Sequence, residues 1–296
     1  MTLISKNDLA KHEHVSGSKS EQSNFKFAFY VMEKEKREAI FNIYTFFSYL
    51  DDIVDSSNNK SEKEINEKKK RLEWWKNEIQ LLYSQEASLT PVTKTLKNII
   101  VNFKIPKEYF ETLIDGIAKD LTKKEYLTFE ELLNYCYGVA AVVGIICTYI
   151  FKDTSEVTQK YAINLGYALQ LTNIIRDIKE DFARGYIYIP EEDFVKFNYS
   201  KDELSKNIYN ENFVDLMKYQ QTRALDFYEK TEGKLTKEQA NKFLAAEIMK
   251  NIYFEILKKI EKQKFNIFQD KIKISSANKI YIAIKTILKT SIFSKN

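Results

Sequence analysis

The stretch QLTNIIRDIKEDFARGYIYIP, residues 170–190, is the most informative part of this 296-residue chain. Asp177 and Asp181 lie four residues apart in it, which on a helix is about 400° around the axis and about 6 Å along it. Both carboxylates therefore project from one face, and Asn173 adds an amide oxygen one turn earlier. The flanking residues are apolar: Leu169, Leu171, Ile174, Ile175 and Ile178. A solvated helix face is not enclosed in this way.

A second pair with the same spacing occurs about 125 residues earlier, where Asp51 and Asp55 lie in YLDDIVD (49–55). Its neighbours are also apolar: Ile43, Tyr44, Phe46, Phe47, Leu50, Ile53 and Val54. One such pair alone is common on exposed helices. Two pairs in apolar surroundings indicate a site, because concentrated carboxylates are unfavourable unless cations compensate them.

The chemistry of these side chains favours magnesium. Both groups offer oxygen ligands with no nearby His or Cys, and such sets prefer a hard ion. Mg²⁺ held by a few carboxylates completes its coordination with phosphate oxygens. Arg176 and Arg184 also lie in the second stretch, although the chain has only five Arg against 41 Lys. A planar guanidinium binds diphosphate or carboxylate oxygens in two places, so we expect an enzyme that acts on a diphosphate.

Composition predicts an all-α fold. The chain has 7 Gly and 3 Pro, few for a β-rich protein, and a net charge of +4 that gives no indication of nucleic-acid binding. We expect a mobile N-terminal tail over 1–22, which includes His12 and His14, and one helical domain over 23–296. Cys136 and Cys147 are expected to be buried reduced thiols, as in a cytoplasmic protein. The predicted helices are 33–55, 61–84, 91–103, 107–121, 128–151, 156–182, 201–206, 211–232, 236–263 and 277–293.

Two apolar segments bear on membrane contact. Residues 132–151 carry no charge and are long enough to span a bilayer, but their Tyr, Asn and Thr residues favour a buried central helix. Four small residues in it predict a groove that forms a cavity wall: Gly138, Ala140, Ala141 and Gly144. The C-terminal stretch KIKISSANKIYIAIKTILKTSIFSKN has no acidic residue. It is typical either of a helix that lies peripherally on the inner, anionic membrane surface or of an ordinary packing helix.

A metal-bound diphosphate beside an aromatic cavity is compatible with only a narrow range of reactions. Magnesium assists departure of a diphosphate, and an allylic substrate then yields a carbocation. That cation must be shielded from water and is stabilised by aromatic faces. The chain has 20 Phe and 19 Tyr for such a cavity.

Three stretches resemble the squalene/phytoene synthase family of head-to-head prenyl synthases. SNFKFAFYVMEKEKREAIFNIYTFFSYLDDIVD is similar to the family's first region, YCYGVAAVVG (135–144) to its central motif, and QLTNIIRDIKEDFARGYIYIP to its second aspartate motif. The resemblance runs from about Ser23 to Lys285. RLEWWKNEI (71–79), PVTKTL (91–96) and LIDGIAKDL (113–121) are most similar to bacterial presqualene diphosphate synthases of the hopanoid route.

The resemblance implies an isoprenoid synthase fold with both aspartate motifs at the mouth of a central cavity. Two or three Mg²⁺ ions and the diphosphates would be held by Asp51, Asp55, Asp177 and Asp181, assisted by Asn173 and Arg176 and bordered by Gln170. The prenyl channels would be lined by Phe25, Phe29, Tyr44, Tyr135, Val139, Val143, Gly144 and Leu169. Tyr188 and Tyr253, with Tyr44 and Tyr135, match tyrosines near the reacting carbons or the diphosphate.

The implied reaction joins two farnesyl diphosphates into presqualene diphosphate and needs no reductant. Squalene would require NADPH. Hydroxysqualene, dehydrosqualene, or phytoene from geranylgeranyl diphosphate are alternative products, and a terpene cyclase or a catalytically inactive scaffold protein are alternatives of other kinds.

Two positions depart from the family pattern. Ser48 stands where an Arg usually precedes the first motif, and Tyr186 stands where RIY usually follows the second. A charge-assisted contact contributes roughly 1.5–3 kcal/mol, so we expect weaker binding of one diphosphate, or its orientation by Lys or Arg184 instead.

Overall fold

The structure, a computed structural model, describes residues 28–55, 61–84, 91–269 and 272–292. Within these ranges the backbone forms helices and one isolated bridge between Glu125 and Ile187, with no strand. The predicted all-α class is therefore confirmed. The predicted tail over 1–22 and the predicted channel residue Phe25 lie outside the described residues, and the single-domain assignment stays a prediction.

The helix bounds agree with the sequence-based ranges to within three residues. In chain order the helices of the described residues are α1 Lys34–Asp55, α2 Glu62–Ser84, α3 Pro91–Phe103, α4 Lys107–Lys119, α5 Phe129–Cys136, α6 Val142–Phe151, α7 Glu156–Ala183, α8 Glu191–Lys196, α9 Lys201–Ser205, α10 Glu211–Glu229, α11 Lys237–Lys242, α12 Leu244–Lys262 and α13 Ser276–Ile292.

The differences have local causes. Helix α8, which has six residues, was not predicted. The expected helix 128–151 contains a π-helical turn at Tyr137–Ala141, between α5 and α6. The expected helix 236–263 is broken at Phe243, which ends α11 and begins α12. The last two differences occur where helices border the central cavity.

Helix α7 occupies the centre of the fold. It contacts α5, the π-helical turn, α6, α10 and α12. Its first turn is capped by Ser155, whose hydroxyl accepts a hydrogen bond from the Thr158 backbone N–H. Its end is set by Gly185, whose φ of +85° favours glycine and turns the chain back toward Tyr186. The predicted buried central helix, Phe129–Phe151, is long and apolar enough to cross a membrane by composition alone, but here it packs against α4 and α7.

Helix α7 approaches its neighbour so closely that one position excludes any side chain. A Cβ on Gly166 would lie 2.6 Å from the Cα of Ala141. Of the four predicted groove residues, Ala140 and Gly144 line the cavity, whereas Gly138 packs against Gly116 and Ala141 against Gly166. The small residues thus serve both the cavity wall and close helix packing.

Gly166→Val is expected to destabilise the protein by about 1–3 kcal/mol, because the added carbons meet backbone atoms that cannot move aside. The free energy of unfolding in urea measures the effect. Lys160→Ala is a matched control on an exposed position of the same helix. Equal stability of the Gly166 and Lys160 variants would contradict the close-packing argument.

Candidate active site

An apolar cavity of about 470 Å³ runs between α1, α6, α7 and α12. Its lining includes all of the predicted channel residues that the structure describes: Phe29, Tyr44, Tyr135, Val139, Val143, Gly144 and Leu169. Tyr253 also lines it. Helical spacing thus places these residues on faces that share one interior space.

A polar pocket of about 230 Å³ adjoins this cavity. The four predicted aspartates, Asp51, Asp55, Asp177 and Asp181, all line it, together with Arg184 and Tyr188. Five residues line both spaces and therefore mark their junction: Asp51, Tyr135, Gln170, Asn173 and Arg176. The two acidic pairs, remote in sequence, face one pocket that opens into an apolar interior.

Arg184 joins the two pairs directly. Its Nη1 lies 3.2 Å from Asp55 Oδ2 and its Nη2 lies 2.6 Å from Asp181 Oδ1. Arg176 forms the second guanidinium contact, with its Nε donating to Asp177 Oδ1 over 2.7 Å and its Nη2 pairing with Oδ2. Burial opposes the charged form of Arg176, but Asp177 and then Tyr253 raise its pKa above the ordinary value. Both arginines stay charged at the pocket.

Asp181 is the most deeply placed carboxylate of the four. Burial, with smaller contributions from the neighbouring Asp177 and Glu180, raises the pKa of Asp181 to about 6 against the lowering effect of Arg184. Such a group gains from a nearby cation, because the cation favours its ionised form.

The donor set fits a hard divalent ion that is only partly enclosed by protein. Within the described ranges, no three His, Cys, Asp or Glu side chains form a ready-made metal cage. The Oδ1 of Asn173 is buried, and none of the described residues donates a hydrogen bond to it. It lies at the junction of the two spaces as a free oxygen ligand. Mg²⁺ bound here would take its remaining ligands from phosphate and water.

The far end of the cavity is closed by aromatic rings. Tyr161 precedes Asp177 by 16 residues on α7, which places it about 24 Å from the acidic rim along the helix. Phe243 packs there at the break between α11 and α12, with its ring centroid 4.8 Å from Phe151 and 5.9 Å from Tyr161. All three line the cavity. Sequence reasoning did not identify this floor, because the rings come from three helices.

Asp120 is a pocket residue that sequence reasoning missed. Tyr135 Oη donates to its Oδ2 over 2.8 Å and Tyr188 Oη donates to its Oδ1 over 3.3 Å. Burial raises the pKa of Asp120 to about 6, partly offset by Tyr135, Tyr188 and Lys124. A signal was present in the sequence: Asp120 follows the last turn of α4, where the helix dipole disfavours an anion.

The two departures from the family pattern are now located. Ser48 lines the apolar cavity and adds no charge. Tyr186 lines the polar pocket, where its ring stacks on Tyr188 with an interplanar angle of 3°. The ammonium of Lys124 lies 3.7 Å from the Tyr186 ring centroid. A lysine thus stands beside the tyrosine that replaces the usual arginine.

An all-α fold with two facing aspartate pairs at the mouth of an apolar cavity defines the isoprenoid synthase class. Residues 18–278 match the squalene/phytoene synthase family. The chain belongs to this family, and the resemblance seen in its motifs is confirmed.

Similar proteins include the 15-cis-phytoene synthase of Synechococcus elongatus, 29% identical over 84% of this chain and 83% of that protein. Phytoene synthase 1 of Zea mays is 30% identical over 84% of this chain and 61% of the plant protein. Among solved structures, a dehydrosqualene synthase in complex with ligand superposes with a TM-score of 0.81, at 25% identity over 97% of this chain and 98% of that chain. Squalene synthase HpnC from Alicyclobacillus acidocaldarius, at 22% identity, shares the fold with a TM-score of 0.76 over 88% of this chain and 95% of its own.

Asp120→Asn is expected to raise the free energy of unfolding of the metal-free protein by about 1–3 kcal/mol at pH 7.5. A carboxyl pKa raised on folding means that the native protein binds the proton more tightly than the unfolded chain. The carboxylate of Asp120 is therefore unfavourable above pH 6, and that cost disappears as the pH falls through 6 toward 4. Asparagine removes the charge and keeps one of the two oxygens that accept hydrogen bonds from Tyr135 and Tyr188.

Urea unfolding at pH 7.5 and at pH 5 measures this effect, and the gain should shrink at the lower pH. Glu108→Gln, at an exposed position of the same helix, should leave the pH dependence of the wild type unchanged. Lower stability of Asp120→Asn at pH 7.5 would show that the ionised carboxylate is stabilising.

Proposed function

We propose that this protein joins two farnesyl diphosphates head to head into presqualene diphosphate. Its family condenses prenyl diphosphates in this manner and uses a divalent metal for diphosphate ionisation. The observation that carries the proposal is the junction itself: an acidic pocket that suits metal-bound diphosphate opens directly into an apolar cavity with a closed end.

The pocket residues would bind and orient the diphosphates. Asp51, Asp55, Asp177 and Asp181, with Asn173, supply oxygen ligands for Mg²⁺, which when bound neutralises the departing diphosphate. Arg176 and Arg184 each present a guanidinium whose planar fork matches phosphate oxygens. Their present partners are carboxylates of the same pocket, so a bound diphosphate would share these contacts with the aspartates.

The cavity residues would exclude water from the reacting carbons. In the proposed reaction the donor loses its diphosphate, its C1 bonds to the acceptor's C2=C3 double bond, and loss of a proton closes the cyclopropane ring. Tyr44, Tyr135 and Tyr253 line the end of the cavity that contains Asp51 and Arg176. Aromatic faces at that end of the cavity would stabilise the carbocation that remains after the donor loses its diphosphate.

A second candidate, favoured by the comparisons, is continuation to a neutral hydrocarbon without reductant. The relatives described above are phytoene synthases, and the dehydrosqualene synthase structure superposes over nearly the whole chain. Dehydrosqualene would use the same farnesyl substrate, whereas phytoene would need geranylgeranyl diphosphate. NADPH would be required only for squalene.

The product assay combines purified protein, Mg²⁺ and labelled farnesyl or geranylgeranyl diphosphate, with and without NADPH, and identifies products by mass. A thirty-carbon cyclopropyl diphosphate formed without NADPH is expected. A neutral thirty- or forty-carbon polyene would replace the proposal by the second candidate.

Asp177→Ala and Asp55→Ala are expected to abolish turnover with an unchanged circular dichroism spectrum, and near-normal rates in either would refute their assignment as metal ligands. No turnover by the wild type would favour an inactive scaffold protein.

Phe151→Ala is expected to raise the ratio of kcat/KM for geranylgeranyl over farnesyl diphosphate by roughly tenfold or more, because it removes a ring from the cavity floor. Competition between the two substrates measures the ratio. Phe227→Ala is a suitable control, since Phe227 is buried against Tyr167 and does not line the cavity. An unchanged ratio in a folded Phe151 variant would show that the floor does not limit chain length.

A further inference from the structure

Helix α13 is attached to the protein along one face only. Ala283 and Thr286 are buried, and Asn251 Nδ2 on α12 donates to Thr286 Oγ1 over 2.9 Å. The helix contacts α12 and α11. The expectation of an ordinary packing helix is therefore met on this face.

The opposite face of α13 is apolar and exposed. Ile280, Ile284 and Leu288 follow one another at intervals of four residues and are 48%, 53% and 55% exposed. Tyr281 beside them is 64% exposed. Intervals of four residues place these side chains in one stripe along the helix.

This concentration is unusual within the described part of the chain. Four of its eleven exposed large hydrophobic residues lie within nine positions of α13, and most of the others are isolated. Isolated apolar residues are normal on protein surfaces, but a contiguous stripe marks an interaction site. A helix that is apolar on both faces is normally covered on both faces.

The charge around the stripe indicates what covers it. Lys285 and Lys289 are exposed and adjoin Ile284 and Leu288. The sequence from 271 to 296 contains six Lys and no Asp or Glu. An exposed apolar stripe flanked by cations of the same helix is complementary to an anionic lipid surface, where aliphatic side chains reach the acyl boundary and ammonium groups meet phosphates.

The position of α13 relative to the active site is consistent with this partner. Lys279, in the first turn of the helix, is close enough to Arg176 for the two charges to interact: burial and then Arg176 lower the pKa of Lys279. The start of α13 is therefore within electrostatic reach of Arg176, which lies at the junction of the polar pocket and the apolar cavity.

We propose that the exposed face of α13, formed by Ile280, Tyr281, Ile284 and Leu288 with Lys285 and Lys289, docks on an anionic membrane surface. This inference is independent of the reaction catalysed, because it concerns a surface outside the site. Helix α13 would lie in the plane of the membrane interface, and the protein would be a peripheral membrane protein.

Vesicle flotation of the full chain tests the proposal without any substrate. Vesicles contain phosphatidylcholine alone or phosphatidylcholine mixed with phosphatidylglycerol, at low and high salt. The wild type is expected to float with the anionic vesicles and to be released by high salt, because exposed charges are screened. Lys285→Gln with Lys289→Gln should lower the partition coefficient at low salt by about fivefold per lysine. Ile280→Gln, Ile284→Gln and Leu288→Gln together should abolish flotation.

Two controls separate docking from loss of structure. Val195→Gln changes an exposed, isolated apolar residue of α8 and should leave flotation unchanged. Turnover of detergent-dispersed substrate should be the same in the triple variant as in the wild type. The proposal is overturned if the wild type does not float at low salt, if neutral and anionic vesicles bind it equally, or if the triple variant still floats. It is also overturned if the wild type is a dimer that the triple variant breaks, since a second copy would then cover the face.

Discussion

The structure depends on holding four like charges in one small space. Asp51 and Asp55 come from the end of α1 and Asp177 and Asp181 from the end of α7, and repulsion alone would separate them. Apolar packing of both helices into the core keeps the two ends together, and Arg184 is the guanidinium that contacts both motifs. The free energy of core packing thus maintains an electrostatic arrangement that a bound cation would stabilise.

Much of this arrangement was predictable, because it repeats a simple period. Spacings of four residues put each aspartate pair and Asn173 on single faces, and their apolar flanks indicated that these faces border a site, which is the polar pocket of the structure. The small residues in 132–151 predicted a cavity wall, to which Ala140 and Gly144 contribute. The same periodicity located helix ends to within three residues, and the family motifs placed Tyr135, Leu169 and Tyr253 on one interior surface.

The remainder could not be read from local pattern, since it arises where separate helices meet. Asp120 becomes a pocket residue only because α4 ends against Tyr135 and Tyr188. The cation–π contact between Lys124 and Tyr186 joins two segments that are remote in sequence. The break at Phe243 leaves no Gly or Pro as a signal. A packed helix and a helix with an exposed apolar face looked like alternatives for α13 in sequence, whereas the structure has one face packed on α12 and another apolar face exposed.

The break at Phe243 has a consequence for how the base of the cavity is positioned. Helix α11, which ends there, begins with a capping box between Thr236 and Gln239, and Gln239 Nε2 donates to Ser155 Oγ, the cap of α7, over 3.3 Å. The ring at the base of the cavity is thus positioned from the protein's outer surface, through two helix caps. In the proposed function, substitutions on that surface would give evolution a route for adjusting the length of prenyl chain that the cavity accepts, without changing the acidic rim.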